Sequence, residues 1–293
     1  MKKISPSDIK KLRDLTSAGF LDCKEALCES DGDTDKAIEY LRKKGVSSAE
    51  KKSSRNASEG LVSISKNDSN NNAAIIEVNS ETDFVARNEN FQNFVFNLSK
   101  LNLEQKGNLD QLVKSRYNRN DGNVSDVLTN LISKIGEKLT IRRCGYININ
   151  DGSIGSYIHN VVKDGMGKIG VLVSVKTNID FSLISDFLKK LSMHIAAANP
   201  ISITPSDIDD DILEKEKAFQ LEEIKKSGKD QSIQEKMLEG KMNKYFKDVV
   251  LLKQNFVMDD SITITQFIDN TSKELNGTIE IKKFIRFKVG EGI

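Results

Sequence analysis

Cysteine and histidine are scarce in this chain of 293 residues. Cys23, Cys28 and Cys144 are odd in number, and no two of them have C-x-x-C spacing. This usage predicts no disulfide framework and is typical of a reducing, cytoplasmic environment. His159 and His194 are too few and too widely separated to build a zinc site with these cysteines. We therefore expect no metal centre and no cofactor.

An excess of positive charge is also missing. Lysine and arginine number 44 against 43 aspartate and glutamate, which gives a net charge of +1 although 30% of residues are charged. A nucleic-acid binder usually carries a basic excess, because its affinity comes from neutralising phosphates. The balance predicts a soluble protein whose partner is another protein, with no direct nucleic-acid site.

Long apolar runs and catalytic motifs are absent as well. No apolar run approaches the roughly 18 residues of a membrane span, and the basic start is not followed by the apolar stretch of a signal peptide. No membrane association is therefore expected. The sequence has no G-x4-GK[ST] phosphate loop, and no Ser/His/Asp or Cys/His set is evident. These absences argue against an enzyme, and we predict no catalytic residue.

Helix signals dominate the first 45 residues. Ser5 with Asp8 has the spacing of a capping box, and so does Asp22 with Glu25. A third helix is predicted to begin with Thr34 as its cap and to end at Gly45. A bundle this small has a thin core, so docking is a more plausible role for it than chemistry.

The pattern changes along the rest of the chain. Alternating apolar residues predict strands from residue 61 onward, and charged residues at helical spacing predict a helical hairpin further on. Its turn is predicted at Ser227-Gly228. A solvated coiled coil is the default interpretation of that hairpin, and a partner-binding arm is the alternative. The predicted division is a helical bundle over 1–45, a linker over 46–59, core subdomain 1 over 60–150, core subdomain 2 over 151–205, the coiled-coil hairpin over 206–254, and a C-terminal strand and helix module over 255–293.

An internal repeat is visible when the chain is shifted by 97 residues. Asp83-Phe84 then lies over Asp180-Phe181, and apolar positions of the two following segments coincide. Each copy consists of a strand, an Asp-Phe junction and an amphipathic helix. The fold class is therefore predicted as α+β, with a core of two related subdomains that contain antiparallel sheets.

Two other motifs have ordinary structural explanations. Gly165–Gly170 matches G-x-G-x-x-G, but a β-rich run follows it where a dinucleotide site requires a helix. We interpret it as a hairpin turn. His194 lies within a predicted helix, where a capping or half-buried histidine is the simplest explanation.

The segment Thr82–Asn88 is the most informative one, and its structural explanation is strong. Ser80 and Asp83 have capping-box spacing, and Phe84 precedes Phe91 by seven residues, which places both rings on one apolar stripe. From periodicity alone, a structural role for the Asp-Phe pair is favoured over a functional one.

At this segment the chain resembles the elongation factor Ts family, and the resemblance extends over nearly its whole length. Several separate stretches carry it in the family's order: Ala18–Leu27, Glu77–Asn88, Ile135–Glu137, Ile141–Arg143, Met193–Ala197 and Phe284–Gly292. Two departures stand out. Phe20 and Leu21 stand where the family often has two methionines, and the turn after His159 is longer than usual.

The resemblance implies both a fold and a function. The expected fold is a ubiquitin-associated-like N-terminal bundle, a two-part core, an antiparallel coiled-coil hairpin and a short C-terminal module. The expected function is nucleotide exchange without catalysis: the protein binds elongation factor Tu in its GDP form and nucleotide-free form, disturbs the magnesium site, and promotes GDP release and GTP loading.

The same resemblance implies which residues act. Magnesium displacement and partner contact fall to Thr82, Asp83, Phe84 and Val85. Further partner contacts are expected from Phe20, Leu21, Ile135, Gly136 and His159. Two alternatives stay open: a helical adaptor that binds without exchange activity, and a ribosome-associated or RNA-associated binding protein.

Overall fold

Three helices form the N-terminal part of the computed structural model, which describes residues 4–16, 18–118, 122–226, 228 and 230–293. They are α1 Pro6–Thr16, α2 Phe20–Glu29 and α3 Thr34–Lys52. Their shared core includes the buried Leu12, Cys23 and Leu27. The capping box predicted at Ser5 is confirmed, because the Ser5 amide and hydroxyl both donate to Asp8, and the Asp8 amide donates to the Ser5 hydroxyl.

Other predicted helix ends in this bundle are wrong. Helix α2 begins at Phe20 with Gly19 as its cap, and Asp22 and Glu25 instead form ion pairs with Lys44. Asp33, not Thr34, caps α3 with its side chain. Gly45 does not end α3, which continues to Lys52 because this part of the helix packs on the helix that precedes β3.

The next segment contains three strands of the central sheet and four helices. They are β1 Glu59–Lys66, β2 Asn72–Ser80, α4 Asp83–Ala86, α5 Glu89–Glu104, α6 Leu109–Lys114, α7 Val124–Ile135 and β3 Leu139–Asn148. Strand β2 is antiparallel to both β1 and β3. The helices cover one face of these strands, where Phe91, Phe94 and Leu98 of α5 are buried.

Two long strands and a helix follow, namely β4 Gly152–Lys163, β5 Met166–Thr177 and α8 Phe181–Ala198. Strands β4 and β5 form an antiparallel hairpin. Gly165 lies in its turn with φ of 71°, so the hairpin interpretation of the glycine motif is confirmed. Leu188, Leu191 and Ile195 of α8 pack against β5 in a second apolar cluster.

The remaining elements are α9 Asp210–Lys225, α10 Gln231–Val249, β6 Asn255–Phe256, β7 Asp259–Thr263, α11 Ile264–Glu274 and β8 Ile279–Lys288. Helices α9 and α10 pack together as a hairpin, and Glu223 bonds to Lys241 across it. Of the predicted turn, Gly228 has a φ of 64°, whereas Ser227 lies outside the described residues.

The central sheet has the order β3-β2-β1-β5-β4, and every pairing in it is antiparallel. Strand β1 meets β5 only through Val62 and Ser63. Strand β8 pairs with β5 from Ile169 to Thr177, so the C-terminal strand is part of the central sheet. The α+β class with antiparallel strands is confirmed, and the finer division into domains stays a prediction.

The base of the helical hairpin is tied to α8 by a buried histidine. The Val257 amide donates to Nδ1 of His194, so Nε2 carries the hydrogen and donates to Oε1 of Gln254 at 2.9 Å. Gln254 in turn donates to the Asp248 carbonyl at the end of α10. Burial lowers the pKa of His194, which keeps the ring neutral. The half-buried position expected for His194 is therefore a fully buried one, and its role is structural.

Within the described residues, none of the helices is both long enough and apolar enough to cross a membrane. The same residues contain no group of three or more metal-ligating side chains that could hold an ion.

Candidate functional site

Phe84 is exposed on a short helix whose next two residues are buried. Its side chain is 78% exposed, whereas Val85 and Ala86 are 5% and 1% exposed and belong to the apolar cluster under α5. Leaving a phenylalanine ring in water forgoes about 1.5–3 kcal/mol of burial free energy. A large ring held outward while the next two residues anchor its helix in the core is therefore a candidate contact for another molecule.

The ring is exposed because α4 and α5 are separate helices. Asn88 caps α5 by accepting hydrogen bonds from the amides of Asn90 and Phe91 at 3.0 and 3.2 Å. Helix α4 ends two residues before this cap. The prediction that Phe84 shares one apolar stripe with Phe91 is therefore wrong.

The capping box predicted at Ser80 and Asp83 is also wrong. Helix α4 begins at Asp83, so Ser80 lies three residues before it, and its hydroxyl donates to the carbonyl of Thr82 at 2.9 Å. Thr82 occupies the cap position of α4, and Asp83 is an exposed residue of the first turn. This leaves the Asp83 carboxylate on the same exposed turn as the Phe84 ring.

Thr82 is bound to Glu137, which follows α7. The Thr82 amide donates to Oε2 of Glu137 at 3.0 Å, and the Thr82 hydroxyl donates to Oε1 at 2.7 Å. Gly136 closes α7 in the left-handed conformation with a φ of 85°, directly after the partly buried Ile135. The bonds between Thr82 and Glu137 thus bring the start of the Thr82–Val85 segment close to Ile135 and Gly136.

A second carboxylate links the same two segments. Oε1 of Glu81 accepts a hydrogen bond from the Lys138 amide at 2.5 Å, and Arg55 approaches the same oxygen at 3.3 Å. Neither Glu81 nor Glu137 was singled out from the sequence. The contacts span more than fifty residues, and no local spacing signals them, although both glutamates lie in stretches that match the family.

Known proteins similar to this chain share one family name. The family model described as "Elongation factor TS" matches residues 81–291, which begin at the segment that carries Phe84. This chain belongs to the elongation factor Ts family. Proteins named elongation factor Ts from Bartonella henselae and Mesorhizobium japonicum are each 42% identical over 290 residues. In the Bartonella henselae case the alignment covers 99% of this chain and 94% of the relative.

A third relative named elongation factor Ts, from Rhizobium etli, is 40% identical over 293 residues, which cover all of this chain and 94% of the relative. Membership of the elongation factor Ts family assigns the chain to translation elongation, a part of protein biosynthesis.

The other partner contacts implied by the elongation factor Ts family lie in two further places. Phe20 and Leu21 are 52% and 76% exposed on the first turn of α2. Their bundle is attached to α7 through α3, and Arg42 bonds to Asp126 there at 2.9 Å. Within the described residues no hydrogen bond or ring contact joins Phe20 or Leu21 to Phe84.

His159 lies on β4, in the other part of the sheet. Its ring is exposed, with Nδ1 at 3.0 Å from the Tyr157 hydroxyl, and Tyr157 packs against the cluster under α8. In the described part of the chain, neither a hydrogen bond nor a ring contact connects His159 with Thr82–Val85. The structure therefore groups His159 with the second half of the sheet.

Proposed function

We propose that this protein is a guanine-nucleotide exchange factor for elongation factor Tu. It binds the GDP form, inserts the Asp83-Phe84 turn beside the nucleotide, disturbs the magnesium site, and promotes GDP release and GTP loading. The observation that supports this proposal is the Phe84 ring, which is 78% exposed although the next two residues, Val85 and Ala86, are buried. Exchange of this kind breaks no covalent bond, so the protein is not expected to be an enzyme.

The free energies involved are consistent with insertion of the Asp83-Phe84 turn, which we call the wedge. A nucleotide held with a dissociation constant of ~1 nM lies in a well of roughly 12 kcal/mol. Release about a thousandfold faster requires the exit barrier to fall by roughly 4 kcal/mol. Burying one phenylalanine contributes about 1.5–3 kcal/mol, and displacing the magnesium ion removes charge neutralisation from the phosphates. Phe84 and loss of the ion together reach the required order.

The other expected contact residues contribute affinity for elongation factor Tu, whereas displacement of the magnesium ion falls to the Asp83-Phe84 turn. Phe20 and Leu21 offer exposed apolar area on the helical bundle, while Ile135 and Gly136 lie beside Thr82. His159 offers a second, more distant contact. Differential binding to the nucleotide-free partner is the only source of exchange activity, and the coupling is reciprocal, so excess nucleotide should release the factor.

The decisive experiment is stopped-flow release of fluorescent GDP from elongation factor Tu, with and without this protein. Wild-type protein is expected to accelerate release by about three orders of magnitude. Phe84→Ala should lose most of that acceleration, because the ring that enters the partner is gone.

Phe96→Ala is the matched control. Phe96 lies on α5, the helix that follows α4, and is also an exposed phenylalanine, at 41%. It should accelerate release as the wild type does. An adaptor would bind elongation factor Tu and leave the release rate unchanged. Normal exchange by Phe84→Ala would refute the wedge.

A further inference from the structure

Thr82 is held at three of its polar atoms although it leads into an exposed turn. Its amide and its hydroxyl donate to the two carboxylate oxygens of Glu137 at 3.0 and 2.7 Å. Its carbonyl accepts from the Ser80 hydroxyl at 2.9 Å. Because both backbone groups and the side chain are bonded, the direction in which the chain enters Asp83 and Phe84 is fixed before α4 begins.

The Thr82 hydroxyl is not used for helix capping. A threonine at the cap position usually accepts a hydrogen bond from a first-turn amide, which stabilises the helix. At Thr82 no side-chain capping bond is formed, and the hydroxyl is directed to Glu137 instead. A hydrogen bond to a carboxylate is roughly twice as strong as a neutral one. The local geometry thus favours attachment of Thr82 over stabilisation of α4.

The attachment is reciprocal between two segments. Glu137 binds the amide of Thr82, and Glu81 binds the amide of Lys138. Arg55 lies beside Glu81, and the Arg55 carbonyl accepts from Nζ of Lys138 at 2.7 Å. We refer to the contacts of Glu81 and Glu137 with Lys138 and Thr82 as the carboxylate clamp. The clamp makes the turn that carries Phe84 and the end of α7 a single unit.

We propose that Glu137 is a positioning residue for Phe84, holding the ring outward through Thr82 before the partner arrives. This inference rests on the proposed exchange function. A preorganised segment has less ordering entropy to lose when it binds. Loss of the clamp should therefore reduce the rate of GDP release within the complex more than it weakens formation of the complex.

The test compares Glu137→Gln with variants of Thr82. Glutamine keeps one acceptor oxygen but places an amide NH2 group opposite a Thr82 donor. We expect Glu137→Gln to lower the maximal GDP release rate about tenfold and to change the half-saturating factor concentration by less than about threefold. Thr82→Val, which lacks the hydroxyl, should show a similar loss, whereas Thr82→Ser, which keeps the hydroxyl that donates to Glu137, should lose clearly less than Thr82→Val.

The double variant Glu137→Gln with Thr82→Val should be no slower than the slower single variant, because both changes remove one shared contact. Glu59→Gln is the matched control: Glu59 is paired with Lys168 at 2.7 Å, outside the clamp. It should leave release unchanged. Additive losses in the double variant would overturn the inference.

Amide hydrogen exchange gives a readout that does not depend on activity. The Thr82 amide should exchange faster in Glu137→Gln than in the wild type. A lowered melting temperature with an unchanged maximal release rate would overturn the inference, since it would show a role in stability only. If the wild type itself fails to accelerate GDP release, the proposed function is wrong. Hydrogen exchange at the Thr82 amide then still decides whether Glu137 holds this turn.

Discussion

At the scale of single residues, the two Asp-Phe junctions of the internal repeat place their rings differently. Phe84 is 78% exposed. Phe181 is partly buried against the cluster under α8, and Nζ of Lys66 lies 5.7 Å from its ring centroid. Asp180 occupies the cap position of the long helix α8 without a side-chain capping bond, whereas α4 ends after a single turn. The interruption at Asn88 is what separates the first ring from its own core.

This difference predicts unequal effects on stability. Phe181→Ala should lower the free energy of unfolding by about 2 kcal/mol, because a partly buried ring is removed from an apolar cluster. Phe84→Ala should change it by no more than about 0.5 kcal/mol, as is usual for exposed positions. Urea unfolding of both variants measures this. Equal losses would indicate that both rings are structural.

The sequence could predict the Asp-Phe repeat but not the direction of either ring. Both junctions consist of an Asp-Phe pair. In each case a strand precedes the pair, and apolar residues at helical spacing follow it. The seven-residue spacing between Phe84 and Phe91 predicts one shared stripe, whereas in the structure a new helix starts between them, with Asn88 as its cap. The attachment of Thr82 to Glu137 could not be predicted from the sequence, because the two residues are far apart along the chain and are brought together only by the fold.

At the scale of elements, α3 shows why a glycine was misread as a helix end. Glycine commonly follows the last turn of a helix, which is why Gly45 was expected to end this one. In the structure Gly45 is a buried residue of α3 that faces α7. Ala49, one turn further on, packs against the core cluster of the sheet. Tertiary packing therefore extends the helix past a residue of low helix propensity.

Gly45→Ala should consequently stabilise the protein. An added Cβ would lie 3.8 Å from Cγ2 of Thr129 and 3.9 Å from Cβ of Ser133, which are ordinary contacts. Removing a helical glycine should raise the free energy of unfolding by about 0.5–1 kcal/mol. Gly107→Ala is the contrasting variant: with a φ of 74° and a Cβ only 2.9 Å from Cβ of Tyr146, it should destabilise the protein. Loss of stability in Gly45→Ala would contradict this account of α3.

At the scale of the whole molecule, the buried carboxylate of Glu77 connects the two halves of the sheet. Glu77 is fully buried in β2 and accepts hydrogen bonds from Arg142 at 2.9 Å and from Arg143 at 2.6 Å. It also accepts from the amide of Gly290, beyond β8, at 2.9 Å. Direct pairing between β1 and β5 is only two residues long, so these bonds add a second connection between the halves.

Local patterns predict the strand that contains Glu77, but they could not predict this connection. A charged residue within an apolar strand signals a buried partner or a bulge, and the pairing of β2 with β3 does shift between Glu77 and Val78. The identity of the partners depends on the order of strands in the sheet. Gly290 is 213 residues away along the chain, and no spacing rule reaches that far.

Replacing Glu77 with glutamine should therefore affect stability in a pH-dependent way. Burial alone would raise the pKa of Glu77, but the Gly290 amide and the two arginines outweigh it, so the pKa lies below the ordinary value of 4.5. The ionised group thus contributes stability that is fully present above pH 4.5 and is lost as pH falls through the lowered pKa. At pH 7 Glu77→Gln should be less stable by about 3 kcal/mol, since two arginines lose a buried partner.

Urea unfolding between pH 7 and pH 3 gives the test, with Glu59→Gln as a control whose carboxylate forms an ion pair with Lys168. The deficit of Glu77→Gln relative to the wild type should shrink as pH falls below 4.5, because protonation removes the same charge from the wild type. The control should be less stable than the wild type by at most about 1 kcal/mol at any pH. A deficit of Glu77→Gln that stays constant down to pH 3 would mean that packing of the side chain, rather than its charge, joins the two halves of the sheet.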